Sequence, residues 1–345
     1  MKKPDVRLEI NGMKYGGWTK ISIRRGIGQV AGTFELSITE RWPGQPIPAK
    51  IELGASCVVT VDGAPVITGY VDDVAPSYNA ASHTVSVTGR DKTCDLVDCW
   101  PPSTQLKGAT LAAVARSLAA PFGIEVVDET GVGVVPGFKT NPGDTVFETL
   151  EQLARAKGVL LTTDGRGRLV ICRASKKKAA TVLELGKNVF EGKGKFSMRD
   201  RFSSVTVIGQ TASQQKTVVT DAAVPRHRPL VLVADQEHQG ANKRAQWEVN
   251  VRYGKGNQAT YTVYGWKDGD ALWTPNVLVR IVDPFMGLEA TWLVGSVGWT
   301  LDERGYRSEI TLNPPEAFDV EPVSPKKGKK DKETLRGPGA DTKES

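Results

Sequence analysis

Hydrophobic and polar positions alternate with a period of two over much of this 345-residue chain. The clearest run is residues 258–318. Tyr261 and Val263 share one face, as do Val277, Val279 and Ile281, and as do Tyr306, Ser308, Ile310 and Leu312. Successive side chains of a strand point to opposite sides, so this period predicts strands with one buried face. Lys267-Asp268-Gly269, Asp283-Pro284 and Arg304-Gly305 separate them with turn chemistry. The stretch predicts a compact antiparallel β unit that holds Trp266, Trp273, Trp292 and Trp299.

A second β pattern lies near the N-terminus. Residues 6–10 lead into Asn11-Gly12, a strong two-residue hairpin signal. Strand-like segments follow at 18–25, 33–39, 56–62, 65–74 and 82–89, and Asp62-Gly63 marks another tight turn. The prolines of loop 41–50 exclude a central strand there. Short strands with regular turn signals predict a small barrel or sandwich ending near Arg90.

The period then changes. Residues 104–120 read as a helix with Leu111, Val114, Ala115 and Leu118 on one face. Residues 144–157 read as a second, with Val146, Leu150, Leu153 and Ala154 on one face, Asp144 as N-cap and Gly158 at its end. A hairpin follows, 159–163 and 169–172, around Asp164-Gly165-Arg166-Gly167. Residues 173–200 read as a basic connector, with Arg173, Lys176, Lys177, Lys178, Lys187, Lys193 and Lys195 and one strand at 181–185. Residues 203–210 read as the strand that opens the second β unit. Residues 236–253 read as a helix with Ala241, Ala245 and Val249 spaced by four.

The expected fold class is mainly β with α+β. Two small antiparallel β-barrel-like domains flank a small α/β module of two helices and a hairpin. The expected boundaries are 1–92, 93–180 and 181–318, with 319–345 as a disordered, charged C-terminal tail that has too little apolar surface to offset its chain entropy.

Composition changes little of this. Apolar residues at 39% and charged residues at 24% suit a soluble globular chain, and 36 glycines with 20 prolines suit a turn-rich β protein. A net charge of +6 permits contact with nucleic acid or an acidic surface without demanding it. Cys57, Cys94, Cys99 and Cys172 are scattered and suggest no disulfide framework. No apolar signal segment follows Met1-Lys2-Lys3 and no run reaches membrane-span length, so folding in a reducing cytoplasm with no membrane anchor is expected.

Candidate chemistry is weak throughout. Gly26-Ile27-Gly28-Gln29-Val30-Ala31 fits a dinucleotide fingerprint, but a strand-like run follows where the motif needs a helix, which favours a loop between strands. Gly254-Lys255-Gly256 reads as a flexible turn, and no nucleophile elbow occurs. His227, Asp235 and His238 form a poor metal set, His83 stands apart, and Cys94 and Cys99 lack a second pair. Asp72-Asp73 and Asp302-Glu303 are acid pairs of the kind glycoside hydrolysis uses, though adjacent acids in turns are ordinarily just solvated. Lys326, Lys327, Lys329 and Lys330 form a basic cluster that Asp331, Glu333, Asp341 and Glu344 nearly balance. No catalytic, cofactor-binding or metal residue is assigned, and no cofactor is expected.

An ordered series of short motifs carries a resemblance. It comprises Gly17-Trp18, Ile21–Arg25, Ala31-Gly32-Thr33-Phe34, Arg41-Trp42-Pro43, Thr68-Gly69-Tyr70-Val71, Gly89-Arg90-Asp91 and Asp95-Leu96-Val97-Asp98. Arg201-Phe202-Ser203-Ser204, Gly209-Gln210, Gly265-Trp266, Leu272-Trp273 and the ending Leu312-Asn313-Pro314-Pro315-Glu316-Ala317-Phe318 continue it. In this order they resemble the baseplate hub proteins of Mu-like contractile phages, the P protein or late control D superfamily of tail hubs. The resemblance implies a structural protein, not an enzyme. It implies a homotrimeric ring in which two barrel-like domains per subunit alternate around a channel. One face would meet the hexameric tail tube protein and the other the trimeric central spike protein, and DNA would pass through the channel. Tape measure and baseplate wedge proteins are further implied partners, with assembly in the host cytoplasm and residence in the virion tail baseplate. Trp266 and Trp273 are then candidate subunit contacts, and Lys326, Lys327, Lys329 and Lys330 candidate partner contacts. Competing readings are the hub of a phage-derived contractile bacteriocin, a tail-associated cell-wall-degrading enzyme, and a nucleic-acid-binding module using the basic connector and tail.

Overall fold

The structure is a computed structural model that describes residues 3–28, 30–40, 51–79, 83–209, 216–233 and 241–319. The first unit contains β1 (Val6–Ile10), β2 (Met13–Tyr15), β3 (Lys20–Gly26), β4 (Thr33–Glu40), β5 (Ser56–Val61), β6 (Ala64–Tyr78) and β7 (His83–Asp91). They pair antiparallel in the order β3-β4-β7-β6-β5-β1-β2. Asn11-Gly12 and Asp62-Gly63 each place both residues at positive φ, the twist that two-residue hairpins require. The alternation holds: Val6, Leu8 and Ile10 on β1, and Phe34 and Leu36 on β4, are buried.

The α/β module follows with α1 (Cys94–Asp98), β8 (Gln105–Thr110), α2 (Leu111–Ala119), β9 (Val126–Asp128), β10 (Val134–Lys139), α3 (Val146–Lys157), β11 (Leu160–Thr163) and β12 (Leu169–Cys172). The helix expected over 104–120 starts only at Leu111. The residues before it form β8, paired with β10. The cause is local: Gly108 sits at φ +63, and Thr110 is an extended N-cap whose side chain accepts from Ala113 N. α3 is capped by Thr145, not Asp144. Thr145 and Glu148 form a reciprocal capping box, and Gly158 ends the helix at φ +71. Leu111, Leu118, Val146, Leu150 and Leu169 form this module's core.

The stretch expected as a connector contains β13 (Leu183–Glu184) and a full strand, β14 (Val189–Phe196). Among the described residues β14 pairs with one strand, β18, and it is exposed along nearly its whole length, so nothing demands the apolar alternation that would reveal it. Next come β15 (Ser204–Ile208), β16 (Lys216–Thr220), β17 (Pro229–Val233) and α4 (Ala241–Gly256). The strand expected to open the second β unit is instead the centre of a separate small sheet, β16-β15-β17, packed on α4 through Val205, Val207, Ala241 and Ala245. α4 runs on through Gly254-Lys255-Gly256, expected to be a turn. Residues 236–240 of the expected helix lie outside the described residues, as do loop 41–50 and residues 320–345 of the expected tail.

The late unit contains β18 (Asn257–Tyr264), β19 (Lys267–Asp268), β20 (Ala271–Leu272), β21 (Leu278–Asp283), β22 (Leu288–Asp302) and β23 (Gly305–Asn313), ending in a 3-10 turn over Pro315–Phe318. The two expected β regions are present, and they are joined edge to edge. Ser296–Leu301 of β22 pair antiparallel with Ile21–Gly26 of β3. One sheet therefore runs β14-β18-β23-β22-β3-β4-β7-β6-β5-β1-β2, with β21 beside the first half of β22 and β13 beside β21. No pairing among the described residues closes either half into a barrel. A single core continues across the join, including Ile23, Leu36, Tyr261, Trp273 and Trp299. The chain is mainly β, with few helices.

Candidate functional site

The join between the halves is the most distinctive construction in the chain. β22 pairs with β21 over Leu288–Leu293 and then with β3 over Ser296–Leu301. Between the two partners, at Gly295, its register against β23 shifts, as a bulge does when it bends a strand. Ile27 N donates to Gly295 O at 2.7 Å, fixing the end of β3 to the bulge. Trp299 stands opposite Ile23, and both are buried.

Trp266 and Trp273, the candidate subunit contacts, are 3% and 1% exposed and packed into the chain's own core. Trp266 Nε1 donates to Thr300 O at 3.1 Å. Both line a cavity of about 450 Å³ together with Tyr264, Leu272, Lys3 and Lys267.

A buried polar network fastens the α/β module to the main sheet. Asp91 is fully buried. Its carboxylate accepts from Gly32 N, from Thr93 N at 2.9 Å and from the Thr93 hydroxyl. Thr93 Oγ1 also accepts from Ala31 N at 3.0 Å. Arg25 Nη2 donates to Thr163 O at 3.0 Å, and Thr162 Oγ1 donates to Gly26 O at 3.1 Å. Burial pushes the Asp91 carboxyl above the usual carboxylate range despite these donors. Burial likewise lowers the Arg25 guanidinium, while Asp91 and Asp164 pull it back up. Beside this network Thr68 Oγ1 donates to Gly165 O at 3.0 Å. A Cβ on Gly165 would stand 2.3 Å from Pro65 O, so only glycine permits the approach.

Asn276 and Asp268 tie the exit from that module to the late unit, a role the sequence did not announce. Asn276 Nδ2 donates to Arg173 O at 3.0 Å, and Asn276 Oδ1 accepts from Ser175 N at 2.8 Å. The Asp268 carboxylate accepts from Ala180 N at 2.9 Å and Thr181 N at 2.7 Å. Their only sequence signal is that each lies in turn chemistry between strands. In the small α4 unit, Arg201 is buried against Asp221 at 2.7 Å, and Glu248 holds Arg244 and Arg252 at 2.8 and 2.9 Å.

The remaining candidates are dispersed. Gly26 to Ala31 joins antiparallel β3 and β4, so the strand-to-helix setting of a dinucleotide site is not formed there. Asp72 holds Arg90 at 2.8 Å, and Asp73 accepts from the Thr88 hydroxyl at 3.0 Å. Asp302 holds Arg307 at 2.6 Å, while Glu303 beside it is exposed. These acids serve ion pairs and turns. His83 packs edge-on to Tyr78, and His227 is exposed. Asp235, His238, Lys326, Lys327, Lys329 and Lys330 lie outside the described residues. Cys94 is buried and Cys99 is half-buried. Among the described residues no three metal-capable side chains cluster, and no helix is long and apolar enough to cross a membrane.

Comparison with known proteins places this architecture. Residues 5–91 match the N-terminal domain of the Mu phage baseplate assembly protein GpP-like family. Residues 93–173 match the second domain of the baseplate hub protein gp44-like family, and residues 237–321 the fourth domain of Mu phage baseplate assembly protein GpP. The chain is 34% identical over 351 residues to baseplate hub protein gp44 of Escherichia phage Mu, covering 94% of this chain and 92% of that one. The crystal structure of the 43 kDa tail protein of prophage MuSo2 from Shewanella oneidensis superposes with a TM-score of 0.85 at 40% identity, covering 92% of this chain and 99% of that one. A tail protein from Neisseria meningitidis MC58 superposes with a TM-score of 0.81 at 25% identity, covering 93% and 100%. With matches in chain order from the first strand to the last, the chain belongs to the Mu-like family of phage baseplate hub proteins.

Proposed function

We propose that this hub protein forms a homotrimeric ring at the tip of a contractile tail, between the hexameric tail tube and the trimeric central spike. The join between β3 and β22 carries the reading. It holds two β segments of one chain side by side in a single sheet, and three such chains supply six segments to a ring. Tape measure and baseplate wedge proteins then attach around the hub. DNA crosses it only in transit, after the spike has left. Assembly takes place in the host cytoplasm and the finished ring resides in the virion baseplate. In this reading residues 1–92 and 181–318 are the ring-forming regions and residues 93–180 an inserted module. The role is mechanical. Asp72 and Asp302 are engaged in ion pairs, and the relative from phage Mu is named a baseplate hub protein. A peptidoglycan-release assay is expected to show no activity.

Native mass measurement and electron microscopy of the full chain test the ring. A threefold particle with a central pore is expected. A chain that stays monomeric at high concentration and does not assemble on tail tubes would overturn it.

A further inference from the structure

The small sheets β11-β12-β9 and β16-β15-β17 are built alike. In each, a central strand has one antiparallel and one parallel neighbour, and one face packs on helix. Their other faces differ. In β11-β12-β9 that face carries Thr162, Val170 and Cys172. Val170 and Cys172 are buried there, and Thr162 is hydrogen-bonded to Gly26 of the main sheet. In β16-β15-β17 the register sets Val218, Thr206 and Val231 in one row, Lys216, Ile208 and Val233 in the next, and Thr220, Ser204 and Pro229 in the third, with Thr206 buried between its two valines. Val218, Val231 and Val233 are 49%, 59% and 62% exposed. A sheet with one face on the core ordinarily turns polar side chains to water on the other, and a cluster of exposed valines there marks a contact site.

A second uncovered feature lies in the late unit. Phe285, in the turn between β21 and β22, is 88% exposed, more than any other large apolar side chain among the described residues. The turn beneath it is braced. Met286 N donates to Asp283 Oδ1 at 3.1 Å, and the Tyr261 hydroxyl donates to Asp283 Oδ2 at 3.0 Å. The aromatic ring is therefore presented from a fixed base, which lowers the entropy cost of seating it on a partner.

Charge divides the same way. Residues 197–256, which contain the small sheet, hold nine Lys and Arg against five Asp and Glu. β14, which pairs with β18 in the late sheet, and residues 257–319, which contain Phe285, together hold six against ten. Lys216, which is exposed, stands in the second row of the sheet face. Both patches stand uncovered in one chain, so they do not satisfy each other within it. Two different, complementary patches on one molecule make a head-to-tail contact between copies, which either closes into a ring or runs on as a filament.

We infer that the bare face of β16-β15-β17 receives the Phe285 turn of an adjacent copy of this chain. The inference rests on the ring reading and names its contact. The valine rows seat the aromatic ring, and opposite net charges of the two regions guide the approach and fix its direction.

The test uses the full chain and two variants, Phe285→Asp and the double variant Val231→Asp/Val233→Asp, followed by sedimentation velocity and native mass. The wild type is expected at three times its 37.3 kDa chain mass. Each variant alone is expected at the single-chain mass, with unchanged far-UV circular dichroism, because these side chains are mostly exposed in the single chain. An equimolar mixture is expected to give dimers. The first variant keeps an intact sheet face and the second an intact Phe285, so one sound contact forms per pair. If either variant alone assembles as the wild type does, this contact is wrong and the ring stands. A wild type that never leaves the single-chain mass sinks the ring reading itself. Variants that remain trimeric but fail to join tail tubes assign the patches to another baseplate protein and overturn the inference. Should an aspartate variant lose its fold, Val231→Thr/Val233→Thr and Phe285→Ser repeat the experiment with smaller changes. At least a tenfold weaker trimer is then expected, and unaltered trimer stability would count against the contact.

Discussion

Asp91 shows how one side chain fastens two parts of a chain. It closes β7, leads into α1 and accepts three hydrogen bonds while fully buried. Asp91→Ala strands those donors and removes an anion beside Arg25, so it is expected to cost about 3–5 kcal/mol in urea unfolding. The pH dependence has a definite sign. The folded state holds this proton to higher pH than the unfolded chain does, because burial raises the carboxyl. Its contribution to stability is complete below the unfolded carboxylate pKa and is lost as pH rises through the folded one. Asp91→Asn cannot titrate, so its urea midpoint should fall less than the wild type's as pH rises above the ordinary carboxylate range. The thiols give a second prediction at this scale. Burial pushes Cys57 and Cys94 up to about 12 and Cys172 up to about 11, and all three side chains are enclosed. Maleimide should label Cys99 alone in the native protein and all four thiols in denaturant. Residues whose task is local were legible in advance: Asn11-Gly12 and Asp62-Gly63 announce their own turns. The contacts of Asp91, Arg25 and Thr163 were not, since their task exists only once distant segments meet.

At the scale of elements, periodicity succeeded where one face is buried and failed where none is. The buried strands and the face of α3 could be read because burial selects their apolar positions. β14 could not, since it is an exposed edge whose glycines and lysines meet solvent or a neighbouring side chain. β8 was hidden for another reason. Its residues continue the apolar pattern of α2, and only Gly108 and the Thr110 cap break the helix before Leu111. The hairpin β11–β12 was read correctly, but not what its turn touches. Gly165→Ala brings a Cβ against Pro65 O and should loosen the seat of the α/β module on β6. Hydrogen exchange should then quicken in β11 and β12 while the β18–β23 ladder keeps its protection. Equal protection everywhere would show that the approach is not tight.

For the whole molecule, the sequence supports two β regions but is silent on their union. Pairing β3 with β22 joins segments some 270 residues apart, and strand edges carry no signature of their partners. The union has a thermodynamic consequence. Trp299 is buried in the core that both halves share, so Trp299→Ala is expected to cost about 3–5 kcal/mol. Both halves should still lose structure in one transition, with tryptophan fluorescence and far-UV circular dichroism coincident. Two separated transitions would show that the halves fold alone. β22 also has a bearing on how the molecule carries load. Its hydrogen-bond ladders to β21, β3 and β23 all run along one continuous strand. A pull along that strand stresses many bonds in parallel, as in a lap joint, instead of peeling them singly. Tension that enters the late unit is thus handed to the first unit through the backbone of β22, with no loop in series to stretch.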